Sequence, residues 1–349
     1  MAAKRRVLIT GVSRFLGLRL AKKLERDDDV ELVVGVDIEE PPVGIEKLDF
    51  VRADIRSPLI ARVLDSTNVD TVVHTNIASS PSRLGGRSQM KENNVIGTMQ
   101  LLAAVHRAKN IRKVVMKSSS AVYGSGPGEP SIVPEDHAAR HVDLSGYAKD
   151  CAEAETFARD FGRRRRDVDL VVLRTQNVVG PTVRSSLTDY LSLPVIPTAL
   201  GFDPRLQLLH EEDAVDALSA AMTGDSRGIY NIAAPGIVYL SQAIRLLGRP
   251  QLPLLLPAAG PTARLLQRFN LVDFPVDQIR LILFGRVVDI RRAQEAFGFA
   301  PRFTSQEALL DFKHHRDSEP HGDPAVRPRW ERDLIDALGS KSGSDVETV

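Results

Sequence analysis

The chain predicts an α/β fold, a doubly wound parallel sheet with a smaller C-terminal lobe. Three observations carry this. Val7-Leu8-Ile9 is a continuous apolar run, as in a strand covered on both faces, and it feeds a glycine turn and an amphipathic helix. A second apolar strand, Glu31 to Asp37, closes on an acid 20 residues after Gly17. Short apolar runs then alternate with helical stripes through six repeats.

The first turn carries Gly11 and Gly17, and Phe15, Leu16, Leu20 and Leu24 fit one helical stripe after it. A glycine turn at a helix N-terminus is a phosphate site, because backbone N–H groups and the helix dipole both favour an anion. Asp37 has the spacing of an acid that accepts hydrogen bonds from a ribose, as in dinucleotide-binding βαβ units. Its charge also repels a 2′-phosphate, which favours NAD over NADP. Leu48 to Ile55 reads as a third strand, with Asp54 near its end, and Pro58 to Leu64 as a short helix. Val69 to Asn76 is the fourth strand. A loop with Gly85 and Gly86 leads into a long helix from about Ser88 to Lys109, with Val95, Met99, Leu102 and His106 on one side. Ile111 to Ser119 is the fifth strand. After a polar loop, a helix spans about Tyr147 to Arg166, and Val168 to Arg174 is the sixth strand.

Residues 1–174 therefore read as the dinucleotide-binding domain. Residues 175–312 are punctuated by Pro181, Pro194, Pro197 and Pro204 and read as a substrate lobe. That lobe carries one more strand, Gly228 to Ala233, and helices at Leu240–Leu247 and Thr262–Phe269. Residues 313–349 read as a charged, disordered tail with a helical turn or two near Trp330–Leu338.

Composition narrows the classes. The 46 basic and 45 acidic side chains give a net charge of +1, so nucleic acid is not indicated as a partner. One cysteine among 349 residues excludes an internal disulfide and fits a reducing compartment. No apolar run reaches the roughly 20 residues of a membrane span, and the N-terminus lacks a signal-peptide apolar region. A cytoplasmic protein is expected.

Seven motifs in order resemble the extended short-chain dehydrogenase/reductase family, the NAD-dependent epimerase/dehydratases typified by UDP-galactose 4-epimerase. The resemblance covers about residues 5–312. Thr10-Gly11-Val12-Ser13-Arg14-Phe15-Leu16-Gly17 resembles the T-G-x-x-G-F-x-G turn. Asp54-Ile55 is similar to the pair whose acid contacts adenine. His74-Thr75-Asn76-Ile77-Ala78 resembles V-H-x-A-A, and Asn94-Val95-Ile96-Gly97-Thr98 matches N-V-x-G-T. Ser118 to Gly124 matches S-S-x-x-V-Y-G. Arg174 to Pro181 resembles R-x-x-N-x-Y-G-P, and Leu209 to Val215 resembles I-H-V-x-D-V. Within the family the chain is most similar to an actinobacterial, galactose-epimerase-like subgroup.

The resemblance implies a Rossmann fold, NAD, a nucleotide-sugar substrate and a homodimer formed through the helices at 88–109 and 147–166. It implies Gly11, Ser13, Arg14, Phe15, Leu16, Gly17, Asp37, Asp54, Ile55, Thr75, Asn76, Asn94 and Arg174 at the cofactor. Asn94 also reads as a joint between backbone segments. It implies Ser119 and Tyr147 as the catalytic pair, with Asn177, Arg205 and His210 toward the substrate. A tyrosine, of pKa about 10, takes a substrate proton only if a cation lowers it. The family uses a lysine one helical turn on, on the same helix face.

The chain departs from that pattern at three positions. Cys151 stands where the lysine belongs, and a thiol is largely neutral at pH 7. Lys149 is two residues from Tyr147, about 200° around the helix. Lys117 and Lys149 both read as solvated, with either able to replace part of the missing charge. Arg14 replaces the middle glycine of the turn, and Leu206 takes the place of an arginine, with Arg205 beside it. Two other readings stay open. One is an oxidoreductase acting on a sterol or lipid, suggested by Leu252–Leu256 and Leu265–Phe269. The other is a non-catalytic NAD-binding sensor or scaffold.

Overall fold

A computed structural model describes residues 4–79, 85–138, 144–255 and 276–318. The chain begins β1 (Arg5–Thr10), α1 (Phe15–Glu25), β2 (Val30–Asp37), β3 (Leu48–Arg52), α2 (Leu59–Thr67) and β4 (Thr71–His74). A long helix follows in three parts: α3 (Arg87–Lys91), a π-helical segment over Glu92–Gly97, and α4 (Thr98–Arg107). Then come β5 (Lys113–Ser119), a 3₁₀ turn over Ser120–Tyr123, α5 (Gly146–Arg164) and β6 (Asp169–Thr175).

The remainder builds the lobe and returns once to the sheet. Its elements are β7 (Asn177–Val179), α6 (Ser186–Leu191), β8 (Ile196–Ala199), β9 (Arg205–Leu206), β10 (Leu208–His210), α7 (Glu211–Ala221) and β11 (Gly228–Ile232). After them come β12 (Val238–Tyr239), α8 (Leu240–Leu246), β13 (Gln251–Leu254), α9 (Val276–Phe284), α10 (Arg291–Phe297) and α11 (Ser305–Ser318).

The main sheet has seven strands in the order β11-β6-β5-β4-β1-β2-β3, and every pairing in it is parallel. Alternate residues point to opposite faces. Leu8, Val72, Val114, Met116 and Val172 enter one core with residues of α2, α4 and α5. Val7, Ile9, Val73, Val115, Val171 and Leu173 enter the other with α1 and α7. A third core beneath the lobe gathers Leu187, Leu191, Leu206, Leu208, Ile244, Leu309 and Phe312.

Two expected boundaries move. Residue 174 does not end the sheet domain, because β11 pairs along the whole of β6, from Gly228↔Val171 to Ile232↔Thr175. Ala214 and Leu218 of α7 pack against the same sheet face. The strand expected at Gly228 to Ala233 forms as β11, but it joins the main sheet rather than the lobe. Residue 312 is likewise not a border, since α11 runs through Ser318 and buries Leu309 and Phe312. The expected helix at Thr262–Phe269 and the tail beyond Ser318, with its turn near Trp330, lie outside the described residues. No described helix is long and apolar enough to cross a membrane.

Candidate active site

Winding reverses at β1, which lies between β2 and β4. Ligands of such sheets bind at the C-terminal strand ends beside that reversal. Gly11 follows β1 with φ +76°, a conformation that favours glycine. A Cβ on Gly17 would overlap the Gly11 carbonyl, so this glycine lets α1 dock against the turn. Arg14, at the position of the family's middle glycine, has φ −88° and ψ 160°. That is ordinary extended backbone, so arginine sits there without strain. Asp37, at the end of β2, accepts hydrogen bonds from Ser13 N at 3.1 Å and Ile38 N at 2.8 Å. Burial pushes its carboxyl up, while the Ile38 bond and the Arg14 charge oppose the rise.

Two cavities meet here. One, of about 380 Å³, runs from Ser13, Arg14, Phe15 and Leu16 past Thr75 to Lys117, Ser119, Tyr147 and Asn177. The other, of about 360 Å³, is lined by Asp54, Ile55, Asn76 and Asn93 among others. Arg14, Asp37 and Ile38 line both. Thr75 is fixed by donating to the Thr10 carbonyl at 2.8 Å. Asp54 is gripped by Arg56, whose hydrogen bonds hold its carboxyl below the usual range. Asn76 donates to Asn93 Oδ1 at 3.1 Å. Its own Oδ1 is buried without a hydrogen-bond partner among the described residues.

Besides Gly11 and Gly17, four residues expected at ligands line neither cavity. Asn94 lies in the π-helical segment and bridges Ala78, accepting from its N and donating to its O, each at 2.8 Å. Arg174 donates to Glu155 at 3.0, 3.2 and 2.7 Å and to Tyr123 Oη at 2.8 Å. His210 caps α7 by accepting from Glu212 N at 3.2 Å, and its Nε2 lies 3.0 Å from Asp311. Its ring stacks on Phe303. Arg205 lies in β9, where its carbonyl accepts from Arg286 N at 3.3 Å.

At the other end of the larger cavity, Ser119 ends β5 and Tyr147 opens α5. The Ser119 hydroxyl and the Cys151 thiol both hydrogen-bond the Tyr147 hydroxyl. Burial pushes Tyr147 well above the usual tyrosine range; Ser119 and the Arg286 charge pull the other way. Cys151 is fully buried, and its thiol is pushed up to about 12. Lys149 is exposed, as expected. Lys117 is not: it is half-buried and donates from Nζ to Tyr147 Oη at 3.0 Å. The sequence expectation of a solvated Lys117 fails because Tyr147 overhangs the end of β5.

Three residues near the site escaped the sequence reading. Gln176 lines the cavity, accepts from Ser120 Oγ at 2.9 Å and donates to the Arg286 carbonyl at 3.0 Å. Arg184 lines the same cavity. Arg286 donates to Ser120 Oγ at 3.1 Å and Gly124 O at 3.0 Å, and burial pulls its guanidinium down to about 10. No local signal marks Arg286, which reaches the site from 110 residues beyond Gln176.

A family model, the NAD dependent epimerase/dehydratase family, matches residues 7–233. The chain belongs to that family. An uncharacterized protein of Mycobacterium tuberculosis (strain ATCC 25618 / H37Rv) is 41% identical over 344 residues, 97% of this chain and 91% of that protein. UDP-glucuronic acid decarboxylase 5 of Arabidopsis thaliana is 25% identical over 329 residues, 87% of each chain. Among solved structures, MoeE5 in complex with UDP-glucose and NAD is 26% identical with a TM-score of 0.67, covering 89% of this chain and 98% of that one. UDP-glucuronic acid 4-epimerase from Bacillus cereus in complex with NAD shares the fold at 18% identity and TM-score 0.67, with 89% and 98% covered.

As a member of this NAD-dependent family the protein is an enzyme, and NAD is its cofactor. The residues present fit that cofactor. Ser13 to Leu16, at the N-terminus of α1, line the larger cavity, and the dipole of that 11-residue helix favours phosphate. Asp37 supplies a buried acceptor, and the orphaned Asn76 Oδ1 supplies a second in the adjoining cavity. A buried acceptor left unpaired costs roughly 1–3 kcal/mol, which a ligand donor recovers.

Proposed function

We propose that this family member is an epimerase or dehydratase of a nucleotide sugar, with Tyr147 as acid/base and Ser119 as its hydrogen-bonding partner. The observation that carries the reading is that Ser119, Tyr147 and the glycine turn open onto one cavity. UDP-glucose and UDP-glucuronic acid, the ligands of similar structures, support the substrate class. Bound NAD supplies the acceptor for hydride leaving the sugar carbinol carbon. The Tyr147 phenolate takes the proton of the carbinol hydroxyl, and the Ser119 hydroxyl donates to the oxygen on which the C=O bond forms. Asp37, Asp54 and Asn76 face the adenosine half, and Asn177 and Arg184 face the substrate. A homodimer through α4 and α5 is part of the same reading, with sedimentation equilibrium as its check.

The test is to incubate the NAD-loaded protein with UDP-glucose, UDP-glucuronic acid and dTDP-glucose and to follow products by mass spectrometry. Conversion of one of them, lost on the order of 10²–10⁴-fold in Tyr147→Phe with NAD binding intact, is the expected result. Undiminished conversion by that variant defeats the mechanism. The sterol or lipid alternative rested in part on Leu252 and its neighbours. Leu252 and Leu255 are exposed and line neither cavity, and Leu265–Phe269 lie outside the described residues.

A further inference from the structure

A tyrosine that takes a proton near neutrality needs a cation beside its oxygen. The helix provides none. Cys151, one turn from Tyr147, is a buried neutral thiol, and Lys149 points to solvent. Strand β5 provides one. Lys117 and Ser119 are two residues apart and therefore share a face of the strand. Ser119 hydrogen-bonds Tyr147 from that face, and Lys117 Nζ sits 3.0 Å from Tyr147 Oη and 5.6 Å from the ring centre. Among the described residues no carboxylate lies within 4.0 Å of Lys117 Nζ, so its charge is not already spent on an ion pair.

We propose that Lys117 is the cationic partner of Tyr147, supplied by the strand in place of the helix lysine, and that Cys151 fills the space the lysine vacated. The proposal rests on the reading of Tyr147 as acid/base. Other charged groups face the pair from every side. Arg286 faces Tyr147 from the lobe and adds positive potential. Burial, with Arg14 facing it from the glycine turn, pulls the Lys117 ammonium down, and a phenolate in direct contact opposes that fall. His74 is a buried neutral imidazole between Thr10 and Thr98. Glu155 and Asp150, behind Cys151 on α5, are held by Arg174 and Arg87. An ammonium in direct contact favours the phenolate by about one to three pH units.

The experiment is an optical phenolate titration of the NAD-loaded protein, with Tyr147→Phe subtracted to remove the other four of its five tyrosines. Burial raises Tyr147, and the Lys117 ammonium at 3.0 Å is expected to offset part of that rise. Lys117→Met should raise the midpoint by about one unit or more, a tenfold loss of phenolate at fixed pH. Lys117→Arg should keep most of the effect, and Lys117→Ser combined with Cys151→Lys should restore the midpoint. NAD binding, followed by fluorescence, shows that each variant is folded. An unchanged midpoint in Lys117→Met overturns the proposal, as does no recovery in the double variant. Lys117→Met that keeps both midpoint and nucleotide-sugar turnover removes Lys117 alone. Turnover indifferent to Tyr147→Phe removes the reading beneath it.

Discussion

Glu155 on α5 holds Arg174 of β6 in a buried fork, with the carboxylate 1% and the guanidinium side chain 6% exposed. Burial works against the arginine's charge, but Glu155 outweighs it and the guanidinium is stabilised as the cation. Arg174 then stacks over Tyr123, whose hydroxyl donates to Asn231 Oδ1 at 2.7 Å. Removing one partner leaves the other charge buried and unpaired. Glu155→Leu should cost about 3–5 kcal/mol in urea unfolding. A loss below about 1 kcal/mol would show that the pair does not hold α5 to the sheet.

Asp37 is expected to set the choice between the two nicotinamide dinucleotides. Its carboxylate is already bonded by Ser13 N and Ile38 N, so it is held in place facing the cavities. A 2′-phosphate beside it would meet like charge. NAD should bind at least about tenfold more tightly than NADP, a gap of about 1.4 kcal/mol. Asp37→Asn should weaken NAD and narrow the gap. Calorimetric titration with both dinucleotides decides it, and equal affinity in the unaltered protein contradicts the role.

Gly17 is needed for space rather than for an unusual φ. A Cβ there would force α1 away from the Gly11 carbonyl. Gly17→Ala should lower stability by about 1–3 kcal/mol and weaken NAD binding with it. Gly44→Ala is the control, since nothing lies within 4 Å of its added Cβ. Equal melting temperatures for the two variants would mean that α1 shifts without cost.

His74 makes acid a specific stress. Burial, helped by the charges of Arg14 and Lys117, drops its imidazole from 6.5 to about 3. The folded value lies below the unfolded one, so this stabilisation is complete above pH 6.5 and is lost progressively as pH falls toward 3. Between pH 7.5 and 5 this one group should remove about 2 kcal/mol. NMR of the imidazole signals should find one histidine still neutral at pH 5. If all eight histidines titrate above that pH, His74 is not sealed in the way its contacts require.

The parts of the site legible in the sequence were those whose chemistry is local. Gly11, Gly17 and Asp37 announce themselves by spacing within one βαβ unit, and Ser119 and Tyr147 by their place in short motifs. Long-range packing decided the rest. Arg174 resembled a ligand because it ends a strand, yet its partner Glu155 lies on the adjoining helix. His210 resembled a sugar contact, although the acids that follow it, Glu211, Glu212 and Asp213, already mark a helix start that a histidine can cap. Lys117 read as solvated because its neighbours on the strand do not reveal which distant ring covers it. Arg286 had no signal at all.

The return of the chain to β6 determines which fragments of this protein can exist. A polypeptide ending at residue 174 would carry the glycine turn, Asp37, Ser119 and Tyr147, yet β6 would present a bare row of amide and carbonyl groups where β11 belongs. Tyr123 would lose Asn231, and the sheet face under Leu173 would lose α7. During synthesis the sheet stays one strand short until residue 232 has emerged, by which point much of the substrate lobe has also been made. The cofactor half and the substrate half are therefore assembled together, and a shortened form would invite pairing with other chains rather than serve as a separate dinucleotide-binding module.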